Sequence, residues 1–282
     1  MSELSRPRVA LLGMPRTGKS TYLGALWALV QSHLEPSVSE VSFSGDRAYV
    51  QVLAEQVARA EEVPRTAIDA SDQLAVTLRF DPGAIVDLVM PDTSGESLRL
   101  LFEERVWYPR LRSTCEEATA ILLFVHPERV RVPQPLAVLS GAVGSSFEEE
   151  APVERVPFYA REHASTAAEL IEVFENVAEV CRSRWPIRLA VVVSAWDAVD
   201  EGSAPTPYTW METRLPGLLS TIESNPQIAE LGVFGVSAQG GSLVEREELL
   251  ARGEVCDRAY ARNADGEPVS LAEPVRWSIW GA

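Results

Sequence analysis

Near the start of the chain lies a short apolar run, Arg8-Val9-Ala10-Leu11-Leu12, and from Thr21 to Leu34 apolar residues recur at helical spacing. That pattern predicts a buried strand, a turn and a helix. Ser37 to Ser44 is polar and β-branched, and Arg47 to Glu62 places Val50, Leu53, Val57 and Ala60 on one face of a second helix. Pro64 ends it. Leu74–Phe80 and Ala84–Met90 read as two strands joined by Asp81-Pro82-Gly83, hence a hairpin, and a helical stretch follows Glu96 to about Glu117.

Ala120–Val125 is apolar throughout, as expected of a central strand buried on both faces. Five prolines (127, 133, 135, 152 and 157), a Gly-Ser tract and Glu148-Glu149-Glu150 then mark an irregular insertion at about 127–164, either a solvated loop or a lid that docks a partner. Beyond it lie a helix capped by Ser165, a core strand at Ile187–Val193, a helix from Tyr208 to Asn225 interrupted at Pro216, and a strand at Gly232–Val236. The tail carries a turn at Asn263-Ala264-Asp265-Gly266 and a packed helix with Trp277 and Trp280. Strands alternating with helices predict a three-layer α/β/α fold, with a mainly parallel central sheet and one antiparallel edge strand. With no repeat and no clean linker, one domain over residues 1–282 is expected, with a C-terminal extension at about 240–282. Ligands of such sheets bind at the carboxyl ends of the strands.

Composition narrows the function. A net charge of −16 argues against a surface that neutralises nucleic-acid phosphates. Cys115, Cys181 and Cys256 lie far apart and make no metal spacing, no secretory h-region precedes the first strand, and no apolar run is long enough to span a membrane. A cytoplasmic setting is expected.

The chemistry lies between the first strand and first helix, where Gly13-Met14-Pro15-Arg16-Thr17-Gly18-Lys19-Ser20 fits G-x-x-x-x-G-K-[ST], the P-loop. Its backbone N–H groups and helix N-terminus form an anion nest, Lys19 neutralises the β- and γ-phosphates, and the Ser20 hydroxyl ligates Mg²⁺. Asp92 closes a strand and Gly95 follows three residues on, so a carboxylate can hold the Mg²⁺ shell while a glycine N–H approaches the γ-phosphate. Asp197 ends a later strand and can accept both donor edges of guanine; Ser237-Ala238, at the next strand end, can offer a backbone N–H to its carbonyl oxygen. The order of these strand-end motifs points to GTP or GDP with Mg²⁺.

In that order, GMPRTGKS, DTSGE, SAWD and VSAQ, the chain resembles the translation-factor-related class of P-loop GTPases over nearly its whole length. Within the class, RVALLGMPRTGKSTYLGAL, Glu61-Glu62-Val63-Pro64-Arg65-Thr66, DTSGE and Pro274-Val275-Arg276-Trp277 are similar to the bacterial double-GTPase family, whose members occur in multi-protein systems linked to conflict and defence. The resemblance implies a P-loop NTPase fold, Asp92 and Gly95 in switch II, Thr66 as the switch I threonine that closes on Mg²⁺, Thr21 at the α-phosphate, and Asp197 and Ala238 on the base. It also implies a protein partner, a second GTPase or an activating protein.

Several positions depart from the class. Its base-reading motif has Asn or Thr, Lys, any residue and Asp, whereas this chain reads Ser194-Ala195-Trp196-Asp197 and loses the lysine stem over the purine. Trp196 either stacks on the base instead or packs in the core. Arg16 stands where potassium-using members often carry Asn, and either adds charge toward the phosphates or points to solvent. Glu96 occupies the place of the residue that orients the attacking water, where a carboxylate beside a triphosphate implies slow turnover. His126 reads as a strand-end residue. The expectation is a slow regulatory GTPase; the rivals are a nucleotide-dependent scaffold with little hydrolysis and an ATPase.

Overall fold

The computed structural model describes residues 6–35, 37–45, 47–63, 73–81, 83–91, 95–132, 164–181, 186–200, 202 and 205–281. Its strands are β1 (Arg8–Gly13), β2 (Val38–Ser44), β3 (Leu74–Phe80), β4 (Ala84–Met90), β5 (Ala120–Val125), β6 (Ile187–Ser194), β7 (Ile228–Ser237), β8 (Tyr260–Arg262) and β9 (Pro268–Val269). They form a single sheet in the order β2-β3-β4-β1-β5-β6-β7-β8-β9. The centre, from β4 to β7, is parallel; β3 runs antiparallel to β4 and β2, and β8 antiparallel to β7 and β9. The structure thus adds a second antiparallel margin, β8 and β9, to the one that the hairpin predicts. Three residues of β8 and two of β9 are too short for a period-two signal to show.

Alternate side chains of the central strands enter opposite cores. Val9 and Leu11 of β1 and Leu122 and Phe124 of β5 join one cluster. Ala10 and Leu12, with Ile121 and Leu123, join the other. The first cluster is closed by α1 (Lys19–Gln31), α2 (Arg47–Ala58) and, from the far end of the chain, a helix at Glu273–Trp280. The second is closed by α3 (Glu96–Glu104), α4 (Pro109–Glu117), α5 (Thr166–Val180), α6 (Pro207–Arg214) and α7 (Pro216–Glu223). These two helical layers around one sheet are the three-layer arrangement of a P-loop NTPase.

Local chemistry sets the element ends. The stretch expected as one helix from Glu96 breaks into α3 and α4, because Arg105 turns left-handed at φ 58° and Pro109 opens the next helix. Pro216 likewise starts α7 afresh. Helix α2 stops at Ala58, four residues short of the expected Glu62, with Ala60 left-handed at φ 50°. Ser165 caps α5 as expected, accepting from Ala168 N at 3.2 Å. After β7 come two short helices with no strong apolar periodicity, α8 (Arg246–Ala251) and α9 (Val255–Arg258), then β8, β9 and α10 (Glu273–Trp280). Trp277 of α10 is buried edge-on to Phe234, and the Tyr22 hydroxyl of α1 donates to Leu271 O at 3.0 Å. Burying a ring of this size contributes about 2–3 kcal/mol. Most of the insertion, residues 133–163, lies outside the described residues.

Candidate functional site

Strand β1 delivers Gly13 to the rim of the sheet, and the next five residues turn sharply into α1. Two left-handed residues make the turn, Arg16 at φ 63° and Gly18 at φ 86°. Thr17, 7% exposed, donates its hydroxyl to Met14 O at 2.8 Å. Lys19 is 4% exposed, and its ammonium donates to Gly13 O at 2.7 Å and Met14 O at 3.1 Å. The loop is therefore curled around its own lysine. A charge so buried is tolerated because carbonyl dipoles surround it.

Two glycines close the loop from outside. Gly95, at φ 76°, caps the start of α3 and lies so near that a Cβ there would come 2.8 Å from both Gly13 O and Lys19 Nζ. Gly18 touches the end of β6, where a Cβ would meet the Ser194 Cβ at 2.8 Å. Ser194 itself is buried and donates to Val125 O at 3.3 Å. The expected residues Gly13, Thr17, Gly18, Lys19, Gly95 and Ser194 thus come together around one loop. Met14, Pro15, Arg16, Thr17, Ser20 and Thr21 form one side of a cleft of about 770 Å³, within the usual range for a small-molecule site. Arg16 is exposed, as the solvent alternative expects, and it faces the cleft.

The base-side residues lie at the ends of β6 and β7. Asp197 sits exposed in a short 3₁₀ turn and accepts a hydrogen bond from the Ser237 hydroxyl, while Gly240 N donates to Ser237 Oγ at 3.0 Å. Ser237 is fully buried and Ala238 is 9% exposed. Of the two alternatives for Trp196, the structure has the core one and not a ring free to stack on a base: it is 3% exposed, and its ring lies under β7, where a Cβ on Gly235 would come 2.5 Å from it. Ala195, which stands where the class carries lysine, is left-handed at φ 46°. Without that lysine, the contact of Gly18 with Ser194 joins the P-loop to this loop.

Glu96 opens α3 on the cleft wall, where Arg99 holds its carboxylate and also donates to Glu103 at 2.5 Å. Both carboxylates raise the Arg99 pKa, the Glu96 hydrogen bond most. Thr66 and Asp92 lie outside the described residues. Among the described residues, no three His, Cys, Asp or Glu side chains gather as a metal site.

The far side of the cleft was not legible in sequence. It includes Tyr49 of α2, Val63, and His126, Arg129 and Arg131 beyond β5. Burial pushes the His126 imidazole below its ordinary pKa, Arg129 adds to this, and its Nδ1 has no hydrogen-bond partner. Arg131 pairs at 2.9 Å with Glu169 of α5, itself 3% exposed, across 38 positions of sequence. Only the rule that ligands gather at strand ends would have pointed to this side.

Several solved structures resemble the chain at low similarity. Bacterial selenocysteine-specific elongation factor EF-Sec is 14% identical, with 88% of this chain matching 28% of that one at a TM-score of 0.39. Era of Aquifex aeolicus bound to GDP and AlF4⁻ is 14% identical, with 91% matching 57% at 0.34. The Ski7 GTPase-like domain of S. cerevisiae bound to GTP is 13% identical, with 84% matching 44% at 0.39. The chain spans less than two thirds of each. Nothing among curated proteins matches it. A match over residues 10–278, from β1 to α10, is to the Double-GTPase 1 family, and to this family of GTPases the chain belongs.

Proposed function

We propose that the chain is a slow regulatory GTPase that binds Mg²⁺ with GTP or GDP at the P-loop and reads guanine at the ends of β6 and β7. The observation that carries this is the joining of two half-sites: a loop curled around Lys19, and the Asp197–Ser237 pair next to it, linked through Gly18 and Ser194. Lys19, Thr17 and the N–H groups of Gly13–Thr21 hold the phosphates; Ser20, with Thr66 and Asp92, holds the metal; Asp197 and the Ala238 N–H select the base. The bound ion neutralises charge developing on the phosphates.

Lys19 leaves its carbonyls for the phosphates on binding, and Gly95, in contact with both, registers the change. Glu96 contributes weakly to cutting. It is tied to Arg99, and a carboxylate beside a triphosphate is repelled. Acceleration then comes from a protein partner, and the family's description, Double-GTPase 1, favours a second GTPase; the motif resemblance adds a multi-protein bacterial system of conflict or defence as its setting. One domain over residues 1–282 is supported by the way β8, β9 and α10 complete the sheet and its core. A cytoplasmic setting fits the free cysteines. Among the described residues, no helix is long and apolar enough to cross a membrane. The acidic net charge of −16 speaks against a nucleic-acid partner.

Single-turnover hydrolysis tests this reading. Wild type should release phosphate from GTP on the order of 10⁻³ s⁻¹ or more slowly, and Lys19→Ala should release none. Equal or faster release from ATP would overturn it. The Glu96–Arg99 pair also favours a second reading, a scaffold that binds but does not cut. GTP left intact with and without cell extract would select the scaffold.

A further inference from the structure

Arg258, the last residue of α9, is 5% exposed, and no carboxylate pairs with it among the described residues. Its guanidinium reaches back about 200 positions to α2, donating to Val57 O and, at 2.9 Å, to Ala58 O. It donates also to Gln239 O at 3.4 Å. Its Nε has no partner, and burial lowers its pKa. A charge buried against carbonyls alone is a poor way to stabilise a fold, because an apolar side chain of similar size usually does as well. The last carbonyls of α2 are the negative end of that helix, which makes them its natural partners.

One of the elements Arg258 joins continues from the Ser237-Ala238 strand end, and the other carries Tyr49, which lines the cleft. Gln239 and Gly240 continue directly from Ser237-Ala238, and a Cβ on Gly240, at φ 82°, would come 2.4 Å from Arg258 O. Arg252 also holds Gly240 O at 3.0 Å, and Gln239 Nε2 holds Glu61 O at 3.3 Å. From α2 and the residues after it, Tyr49 and Val63 line the same cleft as the P-loop.

We infer that Arg258 is a positioning residue for base selection, locking the 237–240 loop to the end of α2 so that the guanine-reading edge and the Tyr49–Val63 wall keep one spacing. The inference rests on the guanine reading above, and its test separates the two. Affinities for GDP, IDP and ADP are measured with Mg²⁺ on wild type, Arg258→Met, Arg258→Lys and Arg252→Ala, with thermal midpoints of the nucleotide-free proteins alongside. IDP lacks the 2-amino group that Asp197 would read.

Arg258→Met should weaken GDP about tenfold and lower both the GDP:ADP and GDP:IDP ratios at least about threefold, the scale of a lost charged hydrogen bond. Arg258→Lys should restore part of the selectivity. Arg252→Ala, which removes a more exposed tie to the same loop, should shift the ratios in the same direction by less. Unchanged ratios in Arg258→Met, whatever its thermal midpoint, would overturn the inference. Should that variant not fold, unchanged ratios in Arg252→Ala would do so. Wild type that fails to prefer GDP over ADP would instead overturn the guanine reading.

Discussion

Lys19 is the only lysine in the chain; arginine fills the 24 other Lys-or-Arg positions. A composition so biased keeps lysine only where a compact ammonium is required, and the packing shows why. The Nζ donates to the Gly13 and Met14 carbonyls with Gly95 close by, a setting that fits a compact ammonium better than a planar guanidinium fork. Lys19→Arg should therefore lose at least about tenfold in nucleotide affinity despite keeping its charge; retained affinity would show that charge alone matters. Gly95→Ala should disturb the same contact, costing stability through its φ of 76° and nucleotide affinity through the displaced Lys19. His126 sets a pH limb: its folded pKa lies below the ordinary 6.5, so the unfolded chain takes up a proton that the folded chain resists. Stability should fall as pH drops through about 6.5, with Glu128 and Asp197 opposing the effect of burial and Arg129. His126→Asn should narrow the difference in urea midpoint between pH 7.5 and 5.5. An unchanged difference would contradict the assignment.

Among elements, the 3₁₀ turn that carries Asp197 is set by Trp196 packed under β7. Gly235→Ala would push a methyl into that ring, and overpacking of this kind costs about 1–3 kcal/mol. Urea denaturation should show the loss, and a GDP titration should weaken with it because the turn moves; weakened stability with unaltered GDP affinity would separate the turn from the base. Much at this scale was legible in sequence. β3, β4 and β5 have the bounds predicted for them: β5 is an uninterrupted apolar run, and in β3 and β4 only Thr77, Arg79 and Asp87 break the apolar pattern between the flanking turn residues. The P-loop, Gly95, Asp197 and Ser237 were legible because motif and strand end coincide. The Arg105 break, the β8–β9 margin and the Arg131–Glu169 pair were not, since they depend on a single left-handed residue, on strands of two or three residues, and on a contact across 38 positions. Trp196 shows the opposite limit: in sequence it could stack on a base or fill a core, and packing decides for the core.

For the whole molecule, the C-terminal extension is part of the fold. It supplies two strands, the Trp277 cover over Phe234, and carbonyls that receive Tyr22 from α1 and Arg188 from β6. Truncation after Arg258 would expose Phe234 and Val236 to water, so the shortened chain should lose its near-UV dichroism and its soluble yield. A folded truncation with wild-type nucleotide affinity would contradict this. The same extension anchors α2 through Arg246 and Arg258, so the tail, α2 and the base-side loop are expected to act as one unit. This assembly is expected to select guanine although Ala195 stands in place of the base-reading lysine. Calorimetric titration of the wild-type chain with GDP and then ADP, both with Mg²⁺, tests that most directly. GDP is expected to bind at least about tenfold more tightly, the margin of one well-placed hydrogen-bonded edge; ADP binding as tightly as GDP, or more so, would contradict the account.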